Sequence, residues 1–185
     1  MFGAVNESNH VFVEAGFQAI IGNSTSILEI GFGTGLNAWL TLLQAIKKRR
    51  QVYYEAIELY PIDAETTSEL SDNNIFRSLH SSLWEQPVEI VPEFALHKRK
   101  SDLLQTTFTK KFDLVYFDAF SPTVQPEMWS SEIFARLYAA MNPDAILTTY
   151  CAKGEVRRTM QNVGFTVERL KGSAGKREML RARKR

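Results

Sequence analysis

The sequence predicts an α/β fold, a mostly parallel sheet closed by an antiparallel C-terminal hairpin. Three observations predict it. Short apolar runs alternate with helix-patterned stretches, which is how βαβ units around a parallel sheet read. The first of those runs breaks on Gly31, Gly33 and Gly35 and leads straight into a helix. The last two strand-like stretches, 165–170 and 178–183, are joined by the short segment 172–176 and read as a hairpin. A plain dinucleotide-binding fold has no reason to end that way.

Taken in order, residues 26–30 read as a buried strand. Residues 36–50 read as a helix, with Leu36, Leu40, Leu43 and Ile46 at helical spacing and a basic last turn that suits the helix dipole. Residues 52–59 form a second strand, ended by Tyr60 and Pro61; 63–71 read as helical, and 79–87 carry no clear pattern. Phe94–Lys100 reads as the third strand, and 112–118, an apolar run ending in an acid, as a buried one. A helix over 127–141 starts after Pro126, a strand follows over 146–151, and a helix over 153–163 stops at Gly164.

The chain's 185 residues, 44% of them apolar, suit one core, and no linker or repeat divides them, so a single domain over 1–185 is expected. No apolar run approaches the ~20 residues that span a bilayer. The first nine residues lack the basic-then-apolar pattern of a signal peptide. Cys151 stands alone and His10, His80 and His97 are scattered, so neither a disulfide nor a zinc site is expected. A cytoplasmic, metal-free protein fits these features. The net charge of +1 hides an asymmetry: from Arg157 to Arg185 stand ten basic residues against only Glu168 and Glu178. Such an end attracts a polyanion such as RNA, although a solvated terminal face accounts for the same charges.

The glycine-rich turn carries the first chemistry. Gly31, Gly33 and Gly35, with Phe32 and Thr34 between them, let the backbone turn sharply and approach a ligand with no side chain in the way. Leu36 stands where the dinucleotide fingerprint wants another glycine. Glu29, two residues before the turn, would repel a phosphate and attract a cation, which favours S-adenosylmethionine, a phosphate-free sulfonium, over a dinucleotide. A bare tight turn is the simpler alternative. Glu58 ends the second strand, where an acid accepts from ribose hydroxyls. Asp102 follows the next strand and suits an adenine amino group, or is a surface acid. Asp118 ends the strand 112–118, beyond which ligands of open α/β sheets bind. A carboxylate there can hold an amine through its N–H groups and take up its proton. Phe120 in the following loop either stacks on a base or packs in the core; Trp129 reads as core.

The run from Leu28 through Asn37, the stretch Phe117-Asp118-Ala119-Phe120-Ser121-Pro122 and the run Pro126-Glu127-Met128-Trp129 together resemble the methyltransferase domain of the MnmC family. So do the runs from Glu7 to Val13 and Cys151 to Arg158, then Gly164-Phe165 and Lys176 through Leu180. The resemblance implies a Rossmann-like, class I S-adenosylmethionine-dependent fold and methylation of the amine of 5-aminomethyl(-2-thio)uridine at the tRNA wobble position. It also implies the stand-alone form, without the FAD-dependent oxidase domain and without the usual N-terminal extension. The cofactor would lie on Glu29, Gly31, Phe32, Gly33, Thr34, Gly35, Asn37, Glu58, Asp102 and Asp118. Asp118 would act on the amine. Phe120, Pro122, Arg157, Arg158, Lys171, Lys176 and Arg177 would meet the tRNA. A transferase acting on a small amine shares the cofactor site but has no use for a basic tail. A non-catalytic RNA-binding module of the same fold has no use for the acids.

Overall fold

The computed structural model describes residues 2–63, 66–67, 73–173, 175 and 178–185. Among them, eight strands form one sheet in the order β3-β4-β2-β1-β5-β6-β8-β7. The strands are β1 (Ser24–Ile30), β2 (Gln51–Glu58), β3 (Pro87–Val91), β4 (Phe94–Lys100), β5 (Phe112–Phe117), β6 (Met141–Thr149), β7 (Thr166–Lys171) and β8 (Glu178–Arg183). The pairs β1/β2, β1/β5, β2/β4 and β5/β6 are parallel. The closing pairs β6/β8 and β7/β8 are antiparallel, as the sequence predicts. An unforeseen antiparallel strand, β3, covers the other edge.

β1 sits centrally because both its faces are apolar: Ile27 and Leu28 are fully buried and Ile30 nearly so, with Glu29 the one charge among them. Helices α1 (Phe2–Ser8), α2 (Leu36–Lys48) and α3 (Asn74–Ser81) precede α4 (Ser131–Ala140) and α5 (Gly154–Val163). One face of the sheet packs against α4 and α5 through Ile133, Phe134, Leu137, Val156 and Met160. The other packs against α2, Leu79 of α3 and the π-helical turn Asn9–Glu14, whose Val11, Phe12 and Val13 are all buried. This makes three layers around one sheet.

The helix after the glycines corrects the expected face. Its buried side is Asn37, Ala38, Thr41, Leu42 and Ala45, while Leu43 and Ile46 are exposed. Small residues let α2 approach the sheet closely, and Thr41 bonds the Tyr116 hydroxyl at 3.1 Å beneath it. The helix expected over 127–141 is two elements. A 3-10 turn, Pro126–Trp129, precedes α4, and Ser130 caps α4 by accepting from the Ile133 amide. Met141 already belongs to β6. Of the helix expected over 63–71, residues 66–67 are helical and most of the rest lie outside the described residues. The patternless stretch 79–87 holds the end of α3 and the first residue of β3.

Candidate active site

β1 lies where the chain order reverses, between β2 and β5, and the crevice beyond its carboxyl end is where ligands of such sheets bind. A cavity of about 540 Å³ opens there. The glycine turn forms its floor. Gly31 takes φ +90°, and a Cβ at this position would lie 2.8 Å from the Asp118 carbonyl oxygen, so only glycine lets the two chains pass. The Asp118 amide donates to the Ile30 carbonyl at 3.0 Å, which ties the end of β5 to the turn. At Gly33 a Cβ would meet nothing within 4 Å, and the Gly33 amide donates to Glu58 Oε2 at 3.1 Å. The other oxygen of Glu58 accepts from the Tyr60 amide at 2.9 Å.

Asn37, at the start of α2, joins two acids. Its amide nitrogen donates to Glu29 Oε1 at 2.9 Å and to Asp118 Oδ2 at 2.8 Å. Its Oδ1 is buried at the cavity wall with no partner. Glu29 itself is fully buried and does not line the cavity. It stands behind the wall and reaches the site through Asn37, which corrects the expectation that its carboxylate faces the ligand. Burial holds its carboxyl well above the usual range; the Asn37 bond opposes this, and the charges of Asp118 and Glu58 add to it. The Tyr54 hydroxyl, also buried, faces Glu29 and lacks a well-formed bond to any partner.

Gly31, Phe32, Gly33, Thr34, Asn37, Glu58, Asp102, Asp118 and Phe120 are all brought to this cavity. Gly35 is not on its wall; it is the left-handed residue that starts α2. Asp102 Oδ1 also accepts from the Leu104 amide at 2.9 Å, closing the loop after β4. Phe120 is 71% exposed at the mouth, outside the core. Buried Trp129 donates to the Phe120 carbonyl at 2.8 Å and so fixes its backbone. Arg157 and Arg158 lie on α5. Beside them Lys153 Nζ contacts the Thr123 hydroxyl at 3.3 Å, so the start of α5 adjoins the loop carrying Phe120 and Pro122. Lys171 ends β7 at the cofactor side of the sheet. Lys176 and Arg177 lie outside the described residues. The rest of the basic end is largely spent on structure. Arg169 pairs with Glu178 at 3.3 Å and Arg181 with Glu168 at 2.7 Å. Arg183 and Lys184 bind carbonyls of Asp144, Tyr138 and Met141.

Sequence reasoning missed the N-terminal contribution: Ala4, Glu7, Ser8 and Phe12 line the cavity. It also missed Tyr150, beyond β6, which donates to the Ala119 carbonyl at 2.9 Å. Chemically the lining is one-sided. Its ionisable residues among those described are Glu7, Glu58, Asp102, Asp118 and Glu127, with the phenols of Tyr60 and Tyr150, and no Lys, Arg or His. Such a wall suits a cation and repels a phosphate.

Residues 94–185 match a family described as S-adenosyl-L-methionine-dependent methyltransferase, a class that this fold and this acid-lined site fit. Within that class the resemblance to MnmC holds across the chain. It is 31% identical to the tRNA 5-methylaminomethyl-2-thiouridine biosynthesis bifunctional protein MnmC of Marinomonas sp. (strain MWYL1), over 95% of this chain and 29% of that protein. It is 29% identical to the protein of the same name from Pseudomonas fluorescens, over 96% of this chain and 30% of that one. The chain thus spans less than a third of the length of these curated relatives. Among solved structures it superposes on MnmC2 of Aquifex aeolicus with a TM-score of 0.77 at 21% identity, over 98% of this chain and 61% of that one. The N-methyltransferase NodS of Bradyrhizobium japonicum follows the same fold with a TM-score of 0.56 at 12% identity, over 92% and 89%.

Proposed function

We propose that the chain methylates the primary amine of 5-aminomethyl(-2-thio)uridine at the wobble position of tRNA, acting as one methyltransferase domain over 1–185. The observation that carries this reading is the cavity wall of five carboxylates with no Lys, Arg or His among the described residues, which suits both a sulfonium cofactor and an amine acceptor. The names of the MnmC relatives supply the tRNA modification.

When bound, S-adenosylmethionine supplies an electrophilic methyl group. The residues present fit it. Gly31, Phe32, Gly33 and Thr34 offer a floor open to a ligand, and Asn37 Oδ1 is the unpaired acceptor available to an ammonium. Glu58 and Asp102 stand at the ends of β2 and β4, where the nucleoside part would find acceptors. Glu29 and Gly35 serve from behind, one by holding Asn37 and the other by starting α2. Asp118, held in place by Asn37, accepts from the N–H groups of the amine and turns its lone pair toward the cofactor. Phe120 and Pro122 meet the splayed base. Arg157, Arg158, Lys171, Lys176 and Arg177 meet phosphates.

The test is transfer of labelled methyl groups to tRNA from cells lacking this activity, followed by nucleoside analysis. Methylaminomethyluridine is the expected product. Label found only on small amines would replace this reading with the small-amine transferase.

A further inference from the structure

We propose that Glu7 is the second carboxylate of the acceptor site: it binds the incoming amine in its ammonium form and receives its proton, while Asp118 orients the neutral amine. This rests on the reading above, that the acceptor is a primary amine.

An alkylamine is mostly protonated at neutral pH, as the free lysine side chain is, and an ammonium has no lone pair with which to attack. The proton must go to a group that can pass it on to water. Glu58 and Asp102 stand at the ends of β2 and β4, the side given above to the nucleoside part of the cofactor. Asp118 is held from behind by Asn37 at 2.8 Å. Glu7 comes from a different direction, on α1, and lines the same cavity while remaining half-buried and in reach of solvent.

Tyr150 lines the same cavity, within electrostatic reach of both carboxylates. Burial, then the neighbouring charges of Asp118, Cys151 and Glu7, push its phenol up to about 12. Tyr150 therefore stays protonated and its hydroxyl is spent on the Ala119 carbonyl, so it does not serve as the base. The other ionisable groups that line the cavity are Glu58 at the end of β2, Tyr60 beyond it, Asp102 after β4, and Glu127 on the 3-10 turn. One turn along the chain, His10 and Glu14 pair with each other at 3.1 Å. No cation lines the cavity among the described residues, so an ammonium is the charge these acids lack. In the step itself an N–H bond breaks and its electron pair stays on nitrogen. The proton forms an O–H bond on Glu7 and leaves to water. The pair freed on nitrogen is the nucleophile that the proposed reaction requires.

The experiment measures kcat/KM against pH, with tRNA carrying aminomethyluridine, for the parent, Glu7→Gln and Glu7→Asp. Cofactor affinity is measured alongside by calorimetry. Glu7→Gln is expected to lower kcat/KM at neutral pH by roughly a hundredfold. That deficit should close as pH rises toward the pKa of the amine, because neutral amine then arrives from solution. Glu7→Asp should recover part of the loss, and cofactor affinity should hold in both variants. A deficit equal at every pH, a matching loss of cofactor affinity, or parental rates in Glu7→Gln overturns the proposal. If the parent itself leaves the wobble uridine unmethylated, both this inference and the function it rests on fall. If the parent is active and Glu7→Gln matches it, only this inference falls.

Discussion

Asn37 and Asp118 are 81 residues apart in sequence and joined by one hydrogen bond of 2.8 Å. The same nitrogen holds Glu29 at 2.9 Å. A single amide at the start of α2 thus lies between a buried acid, whose carboxyl favours its proton, and the acid at the end of β5 that the proposed reaction uses.

Replacing Asn37 by leucine removes the donor and leaves both carboxylates without it. Turnover is expected to fall by about a hundredfold, the scale of a lost acid–base or orienting group. Cofactor affinity should weaken as well, since Oδ1 goes with the donor. Kinetics at saturating tRNA with a parallel cofactor titration check this. Parental turnover would break the link between Asn37 and Asp118.

Gly31 and Gly33 are expected to fail differently. Gly31→Ala pushes a Cβ onto the Asp118 carbonyl at 2.8 Å in a positive-φ backbone, so it should cost roughly 1–3 kcal/mol of stability. Gly33→Val has open space around its Cβ and should fold, at some cost from its φ of +49°, but fill the ligand's place. Thermal melts of the apo proteins and cofactor titrations separate the two. Unimpaired cofactor binding in Gly33→Val would move the binding site elsewhere.

Lys98 is 1% exposed, donates to the His80 carbonyl at 2.7 Å and lies 4.9 Å from the Trp84 ring centre. Burial lowers its amine from 10.5 to about 8. The folded protein therefore releases this proton before the unfolded chain does. Below pH 8 the buried charge costs stability, and stability recovers as pH rises from about 8 toward 10.5. Lys98→Met is expected to remove that recovery and to stabilise the protein at pH 7 by up to about 3 kcal/mol. Denaturant melts of both proteins across this range are the check, and an unchanged pH slope in Lys98→Met would contradict it.

Arg157 and Arg158 are the described tail arginines on α5, beside the loop that carries Phe120. Reversing both to glutamate is expected to weaken tRNA binding and to flatten the slope of log affinity against log salt by about one unit per lost phosphate contact. Filter binding across a salt series measures it. An unchanged slope would remove this helix from the RNA surface.

The parts of the fold legible in the sequence are those buried on both sides. β1 and β5 read as apolar runs because each is covered by helices above and below, and the glycines between β1 and α2 mark their own turn. β3 was hidden because none of its five residues is fully buried, at an edge that needs no apolar run. The N-terminal wall was hidden for a different reason. Val11, Phe12 and Val13 are consecutive in a π-helical turn, so they match neither the helical nor the strand period. The apolar stripe of α2 misled, because close packing there selects alanine and threonine over leucine. Among the site residues, the acids at strand ends could be placed by topology alone. The inward burial of Glu29 could not, since it depends on Asn37 and Tyr54 meeting it across the layers.

The contact of His10 Nε2 with the Lys171 carbonyl at 2.7 Å, together with the bond from Arg181 to the Ala15 carbonyl at 3.2 Å, fastens the N-terminal wall to the hairpin β7/β8. During synthesis the wall leaves the ribosome before the hairpin that helps to fasten it. A nascent chain can therefore assemble the glycine turn early and seat the wall on α2 and the central strands, and the hairpin adds its two fastenings afterwards. The final tightening of the wall then waits for β8, and a ligand that binds only the completed pocket favours chains in which the hairpin has folded.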